Sequence, residues 1–199
     1  KLKKRQDNLS RLFYCQKFGY IPFMKIMGFD CSSTTVGWGV IEYDAEFNIV
    51  NIASGWFKPS KTGTIFERLD LVRKEINNLL QTHQPTLIAI EDIVKFMAGK
   101  SSAQTIITLS VFNRTIGMSC YDFLGKSPEL LSVMTIRHKI KSGKVIPKKD
   151  EVPACLEKIL NISFNWTYNK KGNIKEESYD EADGLAVATT RFLQEKNKK

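Results

Sequence analysis

The chain has 199 residues, 42% of them hydrophobic and 11% aromatic, which is enough for one domain with a sizeable buried core. Its 30 lysines and arginines outnumber its 21 aspartates and glutamates, and the net charge of +9 favours a polyanionic partner such as nucleic acid or an anionic membrane surface. The sequence has no apolar run of the roughly 20 residues that cross a bilayer and no signal-peptide pattern, so we expect a soluble protein. Its four cysteines are widely spaced and form no paired metal-ligand motif, so we expect a reduced, intracellular protein without a zinc site.

The first segment, residues 1–23, is basic at its start and aromatic after it, and Met24 follows it directly. We expect this segment to be an extension to a domain that spans 24–195, with a charged tail at 196–199. A short helix packed on the domain edge is the simpler expectation. A basic, aromatic arm for DNA or for a partner subunit is the alternative.

Residues 25–44 are predicted to form a hairpin, because two apolar runs flank a small polar turn. The first run ends in a lone carboxylate, Asp30. Glycine is costly inside a strand, so Gly28, Gly37 and Gly39 indicate places where another backbone passes close by. A strand that simply ends in an aspartate turn is the alternative interpretation of Asp30.

The next elements extend this hairpin into a mixed sheet. Alternation over 49–57 predicts a third strand, which completes an antiparallel meander. Helical spacing of apolar residues over 62–82 predicts a crossover helix, and the apolar run 86–90 then predicts a buried strand parallel to the first. That strand ends in Glu91, at the edge where open α/β sheets place their sites.

The second half is predicted to contain a helix over 101–124 with an apolar stripe, a fifth strand over 130–136 and a helix over 149–160. An exposed loop is expected between the fifth strand and that helix, because six cations lie there: Arg137, Lys139, Lys141, Lys144, Lys148 and Lys149.

The polar stretch 163–177 has no predicted function beyond capping the sheet edge. Ser178 and Glu181 form a Ser-x-x-Glu pattern that predicts the start of the last helix. The chain after Phe192 is expected to fray.

Asp180 and Asp183 are three residues apart and therefore lie on one side of the last helix. Interaction with the helix dipole is one explanation for them. However, the helix is otherwise rich in alanine and leucine, so two bare carboxylates there need a cation. If Asp30 and Glu91 converge on them, four carboxylates without histidine or cysteine select Mg²⁺ or Mn²⁺. Two such ions can align a water and a leaving oxygen around a phosphodiester.

The order of elements and acids resembles the ribonuclease H-like fold and, within it, the RuvC-type Holliday junction resolvases. The resemblance covers about residues 25–192 and implies an α/β domain with a mixed five-stranded sheet flanked by helices. Three motifs carry it, in the right order and spacing: GFD at 28–30 with GWGV at 37–40, IAIE at 88–91, and DEADGLAVA at 180–188.

Matched by position, the four metal-binding and catalytic acids that the resemblance implies are Asp30, Glu91, Asp180 and Asp183. Two Mg²⁺ ions are implied, with Mn²⁺ able to substitute, and Asp30 would bridge them. Asp92 is the rival of Glu91, but alternation along the strand turns it to the opposite face.

The expected DNA contacts come partly from the resemblance and partly from charge: Phe96, Lys100, Arg137, Lys141, Lys148 and Lys149. Phe96 is similar to an aromatic residue that enters the junction in the family, although it lies two residues farther from the acid. His138 is a candidate for proton transfer near the scissile phosphate, with an ordinary surface histidine as the alternative.

The activity that the resemblance implies is resolution of four-way DNA junctions by a homodimer. Two symmetric cuts would leave 5′-phosphate and 3′-hydroxyl ends, and the second helix is the expected dimer element. The alternatives are a nuclease of the same fold for RNA–DNA hybrids or flaps, and a non-catalytic junction-binding protein. An actin-like sugar kinase or ATPase is disfavoured, because it needs a second phosphate motif and two domains.

Overall fold

The structure is a computed structural model, and it describes residues 23–93, 102–163 and 166–198. The strands are β1 (Met24–Cys31), β2 (Val36–Tyr43), β3 (Ile49–Phe57), β4 (Leu87–Glu91) and β5 (Glu129–Leu131). The helices are α1 (Ile65–His83), α2 (Ala103–Leu124), α3 (Val133–Ile140), α4 (Val152–Leu160) and α5 (Glu176–Lys196), and a 3₁₀ turn at Lys149–Glu151 precedes α4. Every helix within these ranges is too short or too polar to cross a membrane.

The five strands form one mixed sheet in the order β3-β2-β1-β4-β5. The β1–β2 and β2–β3 pairs are antiparallel, whereas β1–β4 and β4–β5 are parallel. Phe29 of β1 pairs with Ile90 of β4, so Asp30 and Glu91, the next residues along, lie at the same edge of the sheet. The predicted sheet is therefore confirmed in its strand directions and in the first four strands.

Alternation along the central strands builds a separate core on each face of the sheet. Ile26 and Ala89 pack in the core beneath α3, α4 and α5, whereas Met27 and Ile90 pack in the core beneath α1 and α2. Because residues two apart share a face, Asp30 and Glu91 both lie on the side of the sheet that α5 covers.

The helix α5 lies directly on β1 and β2, backbone against backbone. A Cβ atom on Gly37 would overlap the carbonyl of Asp180, and one on Gly184 would overlap the backbone of Gly37. A Cβ on Gly28 would lie 2.7 Å from the carbonyl oxygen of Gly184. The close approach predicted from these strand glycines is confirmed, and its partner is the helix that carries Asp180 and Asp183.

The predicted fifth strand over 130–136 is wrong beyond Leu131. The hydroxyl of Ser132 accepts a hydrogen bond from the Thr135 amide and caps α3, which takes residues 133–140 out of the sheet. As a consequence Arg137 and Lys139 lie on a helix, and only 141–148 forms the expected basic loop.

The last helix also begins earlier than predicted. It starts at Glu176 after Lys175, and the predicted Ser178 capping box does not form. Ser178 is buried inside the helix, and its hydroxyl lies 2.6 Å from the hydroxyl of Thr167. The tail that was expected to fray after Phe192 is helical to Lys196. Near this end of the helix, buried Arg191 pairs with Glu129 of β5 at 2.8 Å and also with Glu195.

Candidate active site

Three carboxylates converge where β1 ends under the second turn of α5. One oxygen from each of Asp30, Asp180 and Asp183 lies within 4.8 Å of the others. The glycine contacts described above set this distance, because they bring α5 onto the end of β1. All three donors are oxygen atoms, the ligand type that Mg²⁺ and Mn²⁺ prefer.

Glu91 approaches the same place from the neighbouring strand β4. It lines a cavity of about 210 Å³ together with Asp30 and Asp183, although it does not belong to the close group of three. The side-chain amide of Asn113 donates to the Glu91 backbone carbonyl at 2.8 Å and fixes the end of this strand. All four predicted acids thus lie at one edge of the sheet.

Asp92 points away from this cavity. Its carboxylate accepts a hydrogen bond from Arg114 of α2 at 2.9 Å, and its amide donates to the Leu131 carbonyl at 2.8 Å. The first contact ties β4 to α2, which covers the other face of the sheet, and the second ties β4 to the neighbouring strand β5. The geometry agrees with the choice of Glu91 over Asp92.

Two cations reach the carboxylates from the segment around α3 and α4. The ammonium group of Lys149 lies 2.8 Å from Asp180 Oδ1 and 3.5 Å from Asp183 Oδ2. Arg137 lines the cavity from α3 and donates to the Pro147 carbonyl at 3.3 Å, which holds the 141–148 loop against α3.

Burial and crowding raise the pKa values of Asp30, Glu91 and Asp183. Burial, followed by the charges of Glu91 and Asp183, raises the pKa of Asp30 well above its usual range. Burial and the charge of Asp183 raise the pKa of Glu91 to about 7, although Arg137 and Lys149 oppose the shift. Burial also raises the pKa of Asp183 to about 6, although the charges of Lys149 and Arg137 lower it.

The cluster therefore carries more negative charge than its two cations balance when all four acids ionise. The pKa of Lys149 is raised as well: burial lowers it, but the hydrogen bond to Asp180 and the charges of Asp183 and Asp180 outweigh burial. A divalent cation among the oxygens would supply the missing charge, so the residues fit a metal site.

The remaining predicted site residues are less closely involved. Lys141, Lys148 and His138 are exposed and do not line the cavity. Phe96 and Lys100 lie outside the described residues, as does the predicted extension up to residue 22.

Sequence reasoning missed the apolar wall of the cavity. Ile136 and Ile140 form it from α3, and Val152 forms it from α4. The i, i+4 spacing of the two isoleucines was an available signal for a helix, but the short run also fitted a strand.

Sequence reasoning also missed Arg68 of α1. Its guanidinium donates to the Ser33 carbonyl at 3.1 Å and to the Ser60 carbonyl at 2.6 Å. It thereby ties the turn that follows Asp30 to the segment after β3. Nothing in the local sequence distinguishes this arginine from an ordinary exposed helix residue.

Comparisons with known proteins relate this chain to one family. The family model described as Crossover junction endodeoxyribonuclease RuvC matches residues 26–191. A protein of that name from Fusobacterium nucleatum is 27% identical over 172 residues, covering 77% of this chain and 89% of the relative. One from Ehrlichia ruminantium (strain Welgevonden) is 27% identical over 167 residues, covering 83% of this chain and 94% of the relative.

Solved structures are similar across most of the chain. The T. thermophilus RuvC in complex with Holliday junction substrate aligns with a TM-score of 0.62 at 17% identity, covering 87% of this chain and 96% of that one. The yeast mitochondrial Holliday junction resolvase Ydc2 aligns with a TM-score of 0.60 at 15% identity, covering 86% of this chain and 79% of that one. These likenesses confirm the predicted ribonuclease H-like fold.

Proposed function

Because this chain belongs to the RuvC family of crossover junction endodeoxyribonucleases, we propose that it resolves four-way DNA junctions by metal-dependent hydrolysis of phosphodiester bonds. The observation that carries the proposal is the meeting of Asp30, Asp180 and Asp183 within 4.8 Å at the end of β1. A basic chain that gathers acids in this way suits a polyanionic substrate whose cleavage needs divalent ions.

In this proposal Asp30, Glu91, Asp180 and Asp183 would together hold two Mg²⁺ ions, and Mn²⁺ would be able to substitute. Bound ions of this kind lower the pKa of water and stabilise charge that develops on the phosphoryl oxygens. Since Glu91 and Asp183 have pKa values of about 7 and about 6, ion binding near neutral pH would release protons from this cluster.

The two cations of the cavity have separate tasks in this proposal. Lys149 holds Asp180 and Asp183 in place, because its ammonium group contacts both carboxylates. Arg137 lines the cavity without an ion-pair partner among the described residues, which leaves its guanidinium available to a phosphate oxygen of the cut strand. Lys141 and Lys148 lie in the neighbouring basic loop and would contact the backbone farther out.

Two symmetric cuts require two sites, so we propose a homodimer that uses α2. Three residues of the predicted apolar stripe, Phe112, Ile116 and Cys120, are buried in this chain's own core, so we expect the contact on another face of α2. A different face of α2 is exposed and apolar, with Val111 at 38% and Met118 at 58% exposure. These two side chains line an open groove of about 470 Å³ beside α1, and a second copy could cover it.

Cleavage of a labelled four-way junction in Mg²⁺ tests the function, with labelled duplex, flap and RNA–DNA hybrid of matched sequence as the alternative substrates. We expect paired nicks in the junction alone, with 5′-phosphate and 3′-hydroxyl ends. Asp30→Asn should abolish cleavage while junction binding survives, because it removes a charge from the ion site and leaves the surface cations in place.

Other outcomes point to the alternatives. Cleavage of the hybrid or the flap would keep the metal site and change the substrate class. If the wild-type chain cut nothing and Asp30→Asn bound junctions as tightly as wild type, a non-catalytic junction-binding protein would be the better account.

A further inference from the structure

The stretch between α4 and α5 contains a folded basic hairpin, which we define as residues 167–175. Its two sides meet at a β-bridge between Tyr168 and Ile174, and the Lys175 amide donates to the Thr167 carbonyl at 2.9 Å. Eight of its nine residues are exposed, and Ile174 packs against the core beneath α5. The hairpin contains three lysines and no acidic residue.

The base of the basic hairpin is fixed to the domain. Trp166, immediately before it, is 8% exposed, and its indole nitrogen donates to Glu157 of α4 at 3.1 Å. The Thr167 amide donates to the buried hydroxyl of Ser178 in α5 at 3.3 Å. The hairpin therefore projects from a rigid anchor.

The tip is held by its own hydrogen bonds. The side-chain oxygen of Asn169 accepts from the amides of Lys171 at 2.9 Å and Asn173 at 3.1 Å. The Gly172 amide donates to the Asn169 carbonyl at 3.0 Å, and Gly172 has a φ of +78°, in the left-handed region that favours glycine. This order lowers the backbone entropy that binding would otherwise cost.

The lysines of the hairpin are not held in ion pairs by the described part of the domain. Lys170, Lys171 and Lys175 have no ion-pair partner among residues 23–93, 102–163 and 166–198. Of the two acids that follow in α5, Glu177 is already paired with Lys58 at 2.6 Å. The hairpin thus presents unneutralised positive charge.

The base of the hairpin lies close to the acid cluster along the chain. Lys175 precedes Asp180 by five residues, which is about 7.5 Å along a helix axis. Each strand of a duplex carries one phosphate per about 3.4 Å of its axis, so a strand with one phosphate beside the acid cluster presents others at the distance of the hairpin base.

We propose that the basic hairpin is a DNA-binding arm, in which Lys170 and Lys171 contact backbone phosphates of a duplex arm next to the cut site. The inference rests on the proposed function, because it takes DNA as the substrate. Lysine contacts to phosphate position DNA without reading its sequence, so the arm would strengthen binding to any junction sequence.

The test is junction binding by fluorescence anisotropy across a salt series in EDTA, with the full chain and the double variant K170A/K171A. We expect the slope of log Kd against log salt to fall in magnitude by about 2, about 1 for each lost phosphate contact. K170R/K171R should restore the slope, because it keeps both charges. The control K74A/K126A removes the same number of exposed lysines from the α1 and α2 side of the domain, one of them paired with Asp70, and should leave the slope unchanged.

An unchanged slope in K170A/K171A, or an equal loss in K74A/K126A, would overturn the proposal. Melting temperatures of all variants check that each chain is folded. Cleavage by wild type in Mg²⁺ is measured in parallel. If wild type binds but does not cut, the proposed catalysis fails while the binding slopes still decide the role of the arm.

Discussion

The ionisation of Glu91 is linked to the stability of the domain. Its ordinary pKa is 4.5, and in the folded protein it is about 7, chiefly because of burial and then because of Asp183. Between these two values the folded state keeps a proton that the unfolded state has lost. The free energy of unfolding of the metal-free protein must therefore fall as pH rises through this window.

The first prediction concerns Glu91→Gln, which removes this linkage. In EDTA we expect the melting temperature of the variant to rise relative to that of wild type as the pH increases from 5 to 8. The difference between the two melting temperatures should widen by several degrees over this range. Thermal unfolding at a series of pH values measures it. Glu46→Gln, at an exposed position in the β2–β3 turn, is the control. A difference that stays constant with pH, or that narrows as pH rises, would contradict the linkage.

The second prediction concerns Lys149, whose ammonium group contacts Asp180 and Asp183. Lys149→Met should lower the stability of the metal-free protein by about 1 kcal/mol, or about 2–4 °C, because two half-buried carboxylates lose their cation. Saturating Mg²⁺ should reduce the difference in stability between the variant and wild type, since bound ions supply positive charge in place of the lost ammonium group. Melting curves in EDTA and in Mg²⁺ measure both effects.

Lys148→Met is the matched control for this experiment. Lys148 is the adjacent lysine, it is exposed, and its ammonium group has no ion-pair partner in the described part of the chain. Equal destabilisation by the two substitutions, or a Lys149→Met deficit that Mg²⁺ does not change, would show that Lys149 does not balance the acids.

At the scale of elements, the seating of α5 on β1 and β2 determines the geometry of the site. The helix carries Asp180 and Asp183, and its separation from the strands is set by Gly184 facing Gly37. No larger residue fits at either position without moving one backbone away from the other. The acids on the helix would then move away from Asp30.

The third prediction follows from this contact. Gly184→Ala should destabilise the domain by about 1–3 kcal/mol, the usual cost of overpacking, and should lower junction cleavage more than junction binding. Gly117→Ala is the control within another helix, because its added Cβ would meet only Ile90 Cδ1 at 3.9 Å. It should be neutral or more stable by up to about 1 kcal/mol, through helix propensity.

Chemical denaturation and cleavage assays on both variants check this prediction. If Gly184→Ala proves as stable and as active as Gly117→Ala, the helix is not held at the distance that the glycines imply.

At the scale of the whole molecule, the two faces of the sheet have different tasks. The side covered by α5 carries the acids and the basic hairpin, whereas the side covered by α1 and α2 has an open groove between these helices, in which Val111 and Met118 are exposed. In the proposed dimer the two copies join through α2, which leaves both α5 faces open to the arms of one junction.

The fourth prediction tests this arrangement. Met118→Glu places a charge in the groove and should convert a dimer into monomers, with loss of paired cuts but not of the fold. Light scattering with size-exclusion chromatography measures the mass, and a two-label junction assay measures paired cutting. Val50→Glu, at a residue with 52% exposure on the edge strand β3, is the control. A dimer that persists in Met118→Glu would move the interface elsewhere.

The sequence by itself determined the first four strands, the first two helices and the positions of the four acids. These features follow from local patterns: period-two alternation places Asp30 and Glu91 on one face, and the i, i+3 spacing places Asp180 and Asp183 together. The strand glycines likewise indicated a close backbone approach, although not its partner.

Where a local pattern fitted two kinds of element or two starting points, only the tertiary structure decided which one forms. Residues 132–136 fit a short strand or a helix equally well, and the Ser132 cap together with packing of Ile136 beneath α5 selects the helix. Ser178 suits a helix cap, but α5 begins at Glu176, and the hydroxyl of Ser178 instead contacts that of Thr167.

The charge balance of the site also depended on tertiary structure. Lys149 lies 31 positions before Asp180, and their contact exists only because the 3₁₀ turn before α4 packs beside α5. Patterns of residues report on neighbours along one element, whereas ion pairs between elements depend on how those elements pack. That is why the convergence of the four acids at one edge of the sheet was predictable from the sequence, whereas the contact of Lys149 with two of them was not.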